Sequence, residues 1–262
     1  MADDTPAGRA AAQTADKDFP AISGGGSLVV AWQLKGKPVL VIGGGEVATG
    51  RVRHLLVADA DVTVLCAASG LSDELVHRAA TGEIAHVDRH YDPDVDLVPV
   101  SPETVLSKPA MVMAAIDDPV LSTRVWQACQ ARSIPCNVAD VPDECDFYFG
   151  SMYRDGPVQV MVSTNGNGPR MAALVRQRIQ DSLEDLPLGR AAENLGRLRR
   201  RVRAAVPGTA ASDVRTRMRW VSKVTSAWTV AQLAELDDAA IERLVDGMAG
   251  PLPSFESLKI GE

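Results

Sequence analysis

The sequence predicts an α/β protein in which a parallel sheet covered by helices is followed by a small α+β unit and a helical C-terminal region. Short apolar runs of strand length alternate with helical patterns as far as residue 146. Two short strands and a helix follow, and from residue 187 the composition is helical. We therefore expect a disordered tail at residues 1–26 and three structural parts at residues 27–146, 147–186 and 187–262.

Composition narrows the classes of partner. The chain has 262 residues, with 27 Lys and Arg against 34 Asp and Glu, which gives a net charge of −7. A general nucleic-acid binder is usually basic over a whole domain, so we expect no nucleic-acid partner. No apolar run approaches the roughly 18–20 residues that span a bilayer, so we expect no membrane partner either.

The cysteines and the N-terminal segment indicate a cytoplasmic location. Four cysteines are present and none forms a C-x-x-C pair, which is typical of reduced thiols in a cytosolic protein. The first 26 residues lack both the apolar core of a signal peptide and the arginine-rich, acid-poor character of a transit peptide.

The first predicted strand, Pro38–Ile42, is apolar throughout and stops at three glycines, as expected of a strand buried on both faces. Residues 46–58 then show helical spacing. Further strands are predicted at 62–65, 84–87, 111–116 and 136–138, and further helices at 71–80 and 119–132. The Pro- and Asp-rich stretch 91–108 is predicted to be a loop.

The glycine-rich turn after the first strand fits the G-x-G-x-x-A pattern of dinucleotide-binding sites. Gly43 would permit the tight turn, Gly45 would let the backbone approach a pyrophosphate, and Ala48 would let helix and strand pack closely. The N-terminus of the following helix would attract the anion. This context predicts a Rossmann-like dinucleotide site, although a glycine turn without a ligand shows the same pattern.

One element of that pattern is missing. An acidic residue about 20 positions on normally binds the ribose hydroxyls. The second strand instead ends in Ala67, Ala68 and Ser69, so Ser69 or backbone groups would have to substitute. No arginine occurs there, so a preference for a 2′-phosphate is not supported.

Two aspartates follow other strands of the predicted sheet. Asp117 follows the fourth strand and Asp140 follows the fifth, and ligands of open parallel sheets bind at these carboxyl ends. Asp117 could instead be a cap before Pro119, and Asp140 could form an Asx-turn before Pro142. Asp140 is the best candidate for a catalytic base, and we expect it to be partly buried.

The remaining chain shows an arm and an arginine cluster. Strands predicted at 147–149 and 158–162 and a helix at 170–183 form a unit too small for a core of its own, which indicates packing against a second copy. Nine arginines but only two acids lie between Arg190 and Arg219. They form either a solvated helix face or a surface for a polyanionic ligand.

Four segments in order resemble the siroheme synthase family, in its fungal bifunctional form. These are GGGEVA at 43–48, CNVAD at 136–140, CDFYFGS at 145–151 and VSTNGNGP at 162–169. The resemblance covers about residues 28–262 and is most specific over 136–176. It implies an NAD-binding domain, an intertwined dimerisation domain and a helical C-terminal domain, in the order of the three predicted parts.

The resemblance also implies an activity. NAD⁺ would oxidise precorrin-2 to sirohydrochlorin, and Fe²⁺, as a substrate, would then be inserted to give siroheme. Precorrin-2 carries eight carboxylates, for which the arginine cluster could supply a cationic rim. A monofunctional dehydrogenase and a non-catalytic, NAD-responsive regulatory dimer are the alternatives.

The residue roles follow from the same resemblance. Asp140 would serve as acid and base in both reactions. The substrate pocket would include Asn137 and Ser151. No resident metal is predicted, and no histidine occurs beyond residue 90. Gly43, Gly45 and Asp117 are predicted to bind the cofactor from the sheet pattern, and the resemblance adds Glu46, Val47, Ala67 and Ala68.

Overall fold

A computed structural model describes residues 24–97 and 108–259 of this chain. The chain divides into two units, Met1–Ala31 and Trp32–Glu262. In the first unit, the described residues 24–31 are exposed and form neither helix nor strand. Most of the predicted tail, and residues 98–107 of the predicted loop, lie outside the described residues.

The second unit begins with a five-stranded parallel sheet, as predicted. Its spatial order is β3-β2-β1-β4-β5, so the order in which strands are added reverses between β1 and β4. Such a reversal opens a crevice at the carboxyl ends of the central strands. The strands are β1 (Pro38–Ile42), β2 (Asp61–Leu65), β3 (Ala85–Val87), β4 (Met111–Ala114) and β5 (Cys136–Val138).

Helices cover both faces of this sheet. They are α1 (Glu46–Val57), α2 (Asp73–Ala80) and α3 (Pro119–Ala131). Because successive strand residues point to opposite faces, Val39 and Val41 of β1 enter one core while Leu40 and Ile42 enter the other. All four are at most 1% exposed, which explains the uninterrupted apolar run.

The central part contains an antiparallel pair and one helix: β6 (Ser151–Asp155), β7 (Val158–Val162) and α4 (Pro169–Leu183). The prediction of a strand at 147–149 is wrong. Phe147 and Phe149, two residues apart, both pack against the core between the sheet and α1 and α2, and their ring centroids lie 5.9 Å apart. These aromatic residues attach residues 147–149 to the parallel-sheet part of the chain, and the β6–β7 hairpin begins after them.

The C-terminal part is helical, as predicted. Its core includes Leu198, Val202, Ile241 and Leu244, all at most 1% exposed. No helix within the described part of the chain is long and apolar enough to cross a membrane. The helices are α5 (Leu188–Ala205), α6 (Ala211–Ala227), α7 (Val230–Ala234), α8 (Asp238–Asp246) and α9 (Phe255–Lys259).

Candidate active site

The three glycines after β1 have different structural roles. Gly43 has a φ of +109°, and a Cβ there would lie 2.0 Å from the carbonyl oxygen of Ala115. A Cβ on Gly44 would lie 2.7 Å from the carbonyl oxygen of Gly70. A Cβ on Gly45 would meet nothing within 4 Å. The fold therefore requires the first two glycines, whereas the absence of a side chain at Gly45 leaves open space above the loop.

That space lies at the N-terminus of α1. Gly45 is the cap residue and brings no side chain to the first amides of the helix. Thr49 donates both its backbone N–H and its hydroxyl to the Gly45 carbonyl, each at 2.9 Å, which fixes the loop. Glu46 and Val47 are exposed in the first turn, and Ala48 is fully buried against the sheet. The residues present thus fit a pyrophosphate, because unpaired amides face an unobstructed volume.

The loop after β2 borders the same crevice. Ala67 is half-buried and Ala68 is exposed. The backbone N–H of Ala68 donates to Oδ1 of Asp88, 2.7 Å away, and Asp88 directly follows β3. The Ser72 N–H donates to the Gly44 carbonyl at 2.8 Å, so the two loops are joined.

The structure also places Asp117 at the carboxyl edge of the sheet. The N–H of Ala115 donates to the Ile42 carbonyl at 2.8 Å, which extends the pairing of β4 with β1 past the end of the strand. Asp117 follows two residues later and is exposed. The cap of α3 is its neighbour Asp118, whose Oδ1 accepts from the Leu121 N–H at 3.0 Å. The capping alternative therefore does not apply to Asp117.

Asp140 follows β5 at the same edge. The Ala139 N–H donates to the Ala114 carbonyl at 2.8 Å, and Asp140 itself adopts a φ of +60°. Aspartate tolerates this left-handed conformation better than most residues. The expected partial burial of Asp140 is wrong for the single chain, because the turn directs the chain outward and leaves the residue exposed.

A cation that the sequence analysis did not select lies beside the 145–149 segment and interacts electrostatically with Asp140. Arg51 of α1 places its guanidinium carbon 4.3 Å from the centroid of the Phe149 ring. Burial lowers the pKa of Arg51, and the nearby Cys145 and Asp140 partly oppose that shift. Its Nε is buried without a hydrogen-bond partner among the described residues. The signal in the sequence was an arginine among the inward-facing positions of an otherwise ordinary helix.

The two predicted substrate-pocket residues occupy different settings. Asn137 is only 4% exposed, and its amide donates to the Phe147 carbonyl at 2.9 Å. It therefore joins β5 to the aromatic segment, which is a different role from the predicted substrate contact. Ser151 begins β6, where it pairs with Val162, and it is half-buried. The structure thus brings together the ends of β1, β2, β4 and β5, but it does not add Asn137 to that surface.

Family models match most of the chain. Three family models match in succession: an NAD(P)-binding model at residues 30–151, the sirohaem biosynthesis central model at 155–182 and the sirohaem biosynthesis C-terminal model at 187–251. The precorrin-2 dehydrogenase SirC has a similar structure, with a TM-score of 0.56 over 85% of this chain and 99% of that one. At 17% identity, this likeness supports the fold alone.

Curated relatives match over most of the chain. The siroheme biosynthesis protein of Schizosaccharomyces pombe is 41% identical over 240 residues, which are 92% of this chain and 86% of the relative. The siroheme biosynthesis protein of Saccharomyces cerevisiae is 30% identical over 84% of this chain and 89% of its own length. A siroheme synthase of Thioalkalivibrio sulfidiphilus is 37% identical over 82% of this chain but only 40% of its own length. The chain therefore belongs to the siroheme biosynthesis protein family.

Proposed function

We propose that this protein oxidises precorrin-2 to sirohydrochlorin with NAD⁺ and then inserts Fe²⁺ to give siroheme. One observation carries the proposal: the exposed carboxylate of Asp140 lies at the same sheet edge as a glycine loop with open space at a helix N-terminus. The family membership supplies the substrate class. The crevice thus offers one dinucleotide site and one candidate proton acceptor.

In this proposal the cofactor lies across the reversal point of the sheet. The amides of Glu46 and Val47 would bind the pyrophosphate above Gly45. The loop at Ala67 and Ala68 would border the adenosine ribose, with Asp117 on the opposite side of the crevice. NAD⁺, when bound, supplies the hydride acceptor.

Asp140 would accept protons in both reactions. Oxidation removes a hydride and a proton from the tetrapyrrole, and metal insertion displaces two pyrrole protons. A positioned carboxylate can accept such protons, and typically contributes ~10²–10⁴-fold to the rate. Arg51 would add a positive charge on this side of the crevice, where its guanidinium packs on the Phe149 ring.

The substrate carboxylates would contact arginines of the C-terminal part. Arg197 and Arg201 pair with acids of α8, and Arg217 donates to two carbonyls that follow α5. Together with Arg217, three other arginines line a groove of about 550 Å³ between α5 and α6, whose apolar lining includes the exposed Met218. They are Arg199, Arg200 and Arg203, and no ion pair is described for any of them.

The charged and apolar lining of the groove favours a binding surface for an amphiphilic polyanion over the alternative, a solvated helix face. Arg199 and Arg203 are four residues apart on α5, where like charges repel by a few tenths of a kcal/mol. An anionic ligand would relieve that repulsion. Arg199→Gln combined with Arg203→Gln should weaken sirohydrochlorin binding, whereas Arg201→Gln, on the paired side of the same helix, should not.

The protein is proposed to be a homodimer formed through residues 147–186. Among the residues that the structure describes, Ala172 is the one residue of α4 that is buried. Met171, Leu174 and Val175 of this helix are 63%, 58% and 40% exposed. A second copy would cover this apolar face across a two-fold axis.

The protein is also proposed to be cytoplasmic. Its four cysteines form no disulfide, which supports this location.

Anaerobic absorbance spectra of precorrin-2 with NAD⁺, and then with Fe²⁺, would test the function. We expect both conversions in the wild-type protein. Asp140→Asn should slow both by ~10²–10⁴-fold, while Asp143→Asn, an exposed acid three residues on, should leave both unchanged. Loss of dehydrogenation alone would show that chelation relies on other groups. No turnover by the wild-type protein would favour the regulatory dimer.

A further inference from the structure

The dinucleotide-binding pattern normally has an acidic residue after the second strand, and this chain has none there. An acidic side chain that follows the neighbouring strand β3 reaches the same loop. The loop after β2 contains no Asp or Glu before Ser72. Strand β3 pairs in parallel with β2, with Leu65 opposite Val87, so the residue after Val87 arrives at the same sheet edge. That residue is Asp88.

Asp88 is held against the β2 loop. Its Oδ1 accepts from the Ala68 N–H at 2.7 Å. Two further contacts join the same segments: the Cys66 N–H donates to the Val87 carbonyl at 3.2 Å, and His86 Nε2 lies 2.8 Å from the Cys66 carbonyl oxygen. The carboxylate is exposed, so one oxygen fixes the loop while the other remains at the surface of the crevice.

The nearest cation in sequence is held away from this position. Arg89 donates to both carboxylate oxygens of Asp96, with both distances at 2.6 Å. Asp96 is only 1% exposed and also accepts from the Asp92 N–H at 2.9 Å. A bidentate pair anchored on a buried carboxylate fixes the guanidinium. The Arg89 charge is thereby committed to Asp96 rather than to a phosphate beside Ala68.

We propose that Asp88 binds the adenosine ribose hydroxyls of the dinucleotide and disfavours a 2′-phosphate. This inference rests on the proposed cofactor site at Gly45. A carboxylate accepts hydrogen bonds from vicinal hydroxyls, and it repels a phosphate that replaces one of them. No acid follows β2, and Asp88, which follows β3, would take its place. The hydrogen bond from the Ala68 amide holds the Asp88 carboxylate in position.

Equilibrium binding of NAD⁺ and NADP⁺ by calorimetry tests this without any turnover. Asp88→Asn keeps an oxygen for the Ala68 amide, but it removes the charge and replaces the second acceptor oxygen with an NH2 donor. We expect NAD⁺ affinity to fall roughly ten- to a hundredfold, with the preference over NADP⁺ narrowing by a similar factor. Asp88→Glu should retain the preference, and Asp61→Asn, an exposed acid at the opposite end of β2, should change neither affinity.

The outcomes separate the two proposals. If folded Asp88→Asn keeps wild-type NAD⁺ affinity and preference, or loses affinity for both dinucleotides equally, the role of Asp88 is overturned while the cofactor site stands. If the wild-type protein binds neither dinucleotide, the cofactor site and this inference both fail. Melting temperatures of all variants establish that each compared protein is folded.

Discussion

Substitutions at Gly43 and Gly45 should separate the folding role of the glycine loop from its binding role. Gly43→Ala forces an L-residue to a φ of +109° and places its Cβ 2.0 Å from the Ala115 carbonyl oxygen. Gly45→Asp adds a side chain where nothing lies within 4 Å, at a helix cap whose φ is −75°. The first change strains the backbone, whereas the second fills the proposed pyrophosphate site.

The magnitudes follow from these geometries. A strained backbone conformation costs ~1–3 kcal/mol, and overpacking against a fixed carbonyl adds ~1–3 kcal/mol. Gly43→Ala should therefore lower the free energy of unfolding by about 4 kcal/mol. For a folded unit as long as residues 32–262, each kcal/mol of lost stability lowers the Tm by roughly 2–4 °C. A Tm decrease of about 8–16 °C is therefore expected. Gly45→Asp should be neutral or slightly stabilising, because aspartate is a favoured cap residue.

Thermal unfolding, NAD⁺ binding and the two activities together distinguish these effects. Gly45→Asp should keep the wild-type Tm, lose NAD⁺ binding and dehydrogenation, and retain iron insertion, which needs no nucleotide. A Gly43→Ala protein with the wild-type Tm would refute the packing argument. Equal loss of both activities in folded Gly45→Asp would refute the cofactor assignment.

Three further predictions concern other parts of the chain. Arg51→Met removes a positive charge beside the 145–149 segment and should slow both reactions about tenfold, equivalent to ~1.4 kcal/mol. The Tm should change little, because loss of the contact with the Phe149 ring opposes the removal of a buried charge. Unchanged steady-state rates would exclude Arg51 from the site. Sedimentation at micromolar concentration should show a dimer that Leu174→Asp dissociates and the exposed control Val120→Asp does not; an active wild-type monomer would contradict the interface. Hydrogen bonds from Arg53 and Arg78 lower the pKa of Glu74 from 4.5 to about 2, so their stabilisation is complete above pH 4.5 and is lost as the pH falls toward 2. The Tm difference between wild type and Glu74→Gln should shrink over that range, and a constant difference would refute this assignment.

The order and type of most elements could be predicted from local patterns in the amino-acid sequence. The run Pro38–Ile42 is apolar at every position, as expected of a strand covered on both faces, and its last four residues are buried. The glycine spacing and the aspartates after the fourth and fifth strands were also readable, because parallel strands bring their carboxyl ends to one edge. The position of Asp140 made it a candidate base, and the family resemblance then supplied the substrate class and the expectation that Asp140 acts in both reactions.

Which side chains meet could be learned only from the folded chain. Phe147 and Phe149 are residues that favour β-strands. In the folded chain they pack against the apolar core of the parallel sheet instead of extending the hairpin. Arg51 contacts the Phe149 ring only because α1 packs beside the 145–149 segment. Asp88 reaches the Ala68 amide, 20 residues away, through the pairing of β3 with β2. Such contacts depend on register and packing between distant segments, and local sequence patterns carry no information about either.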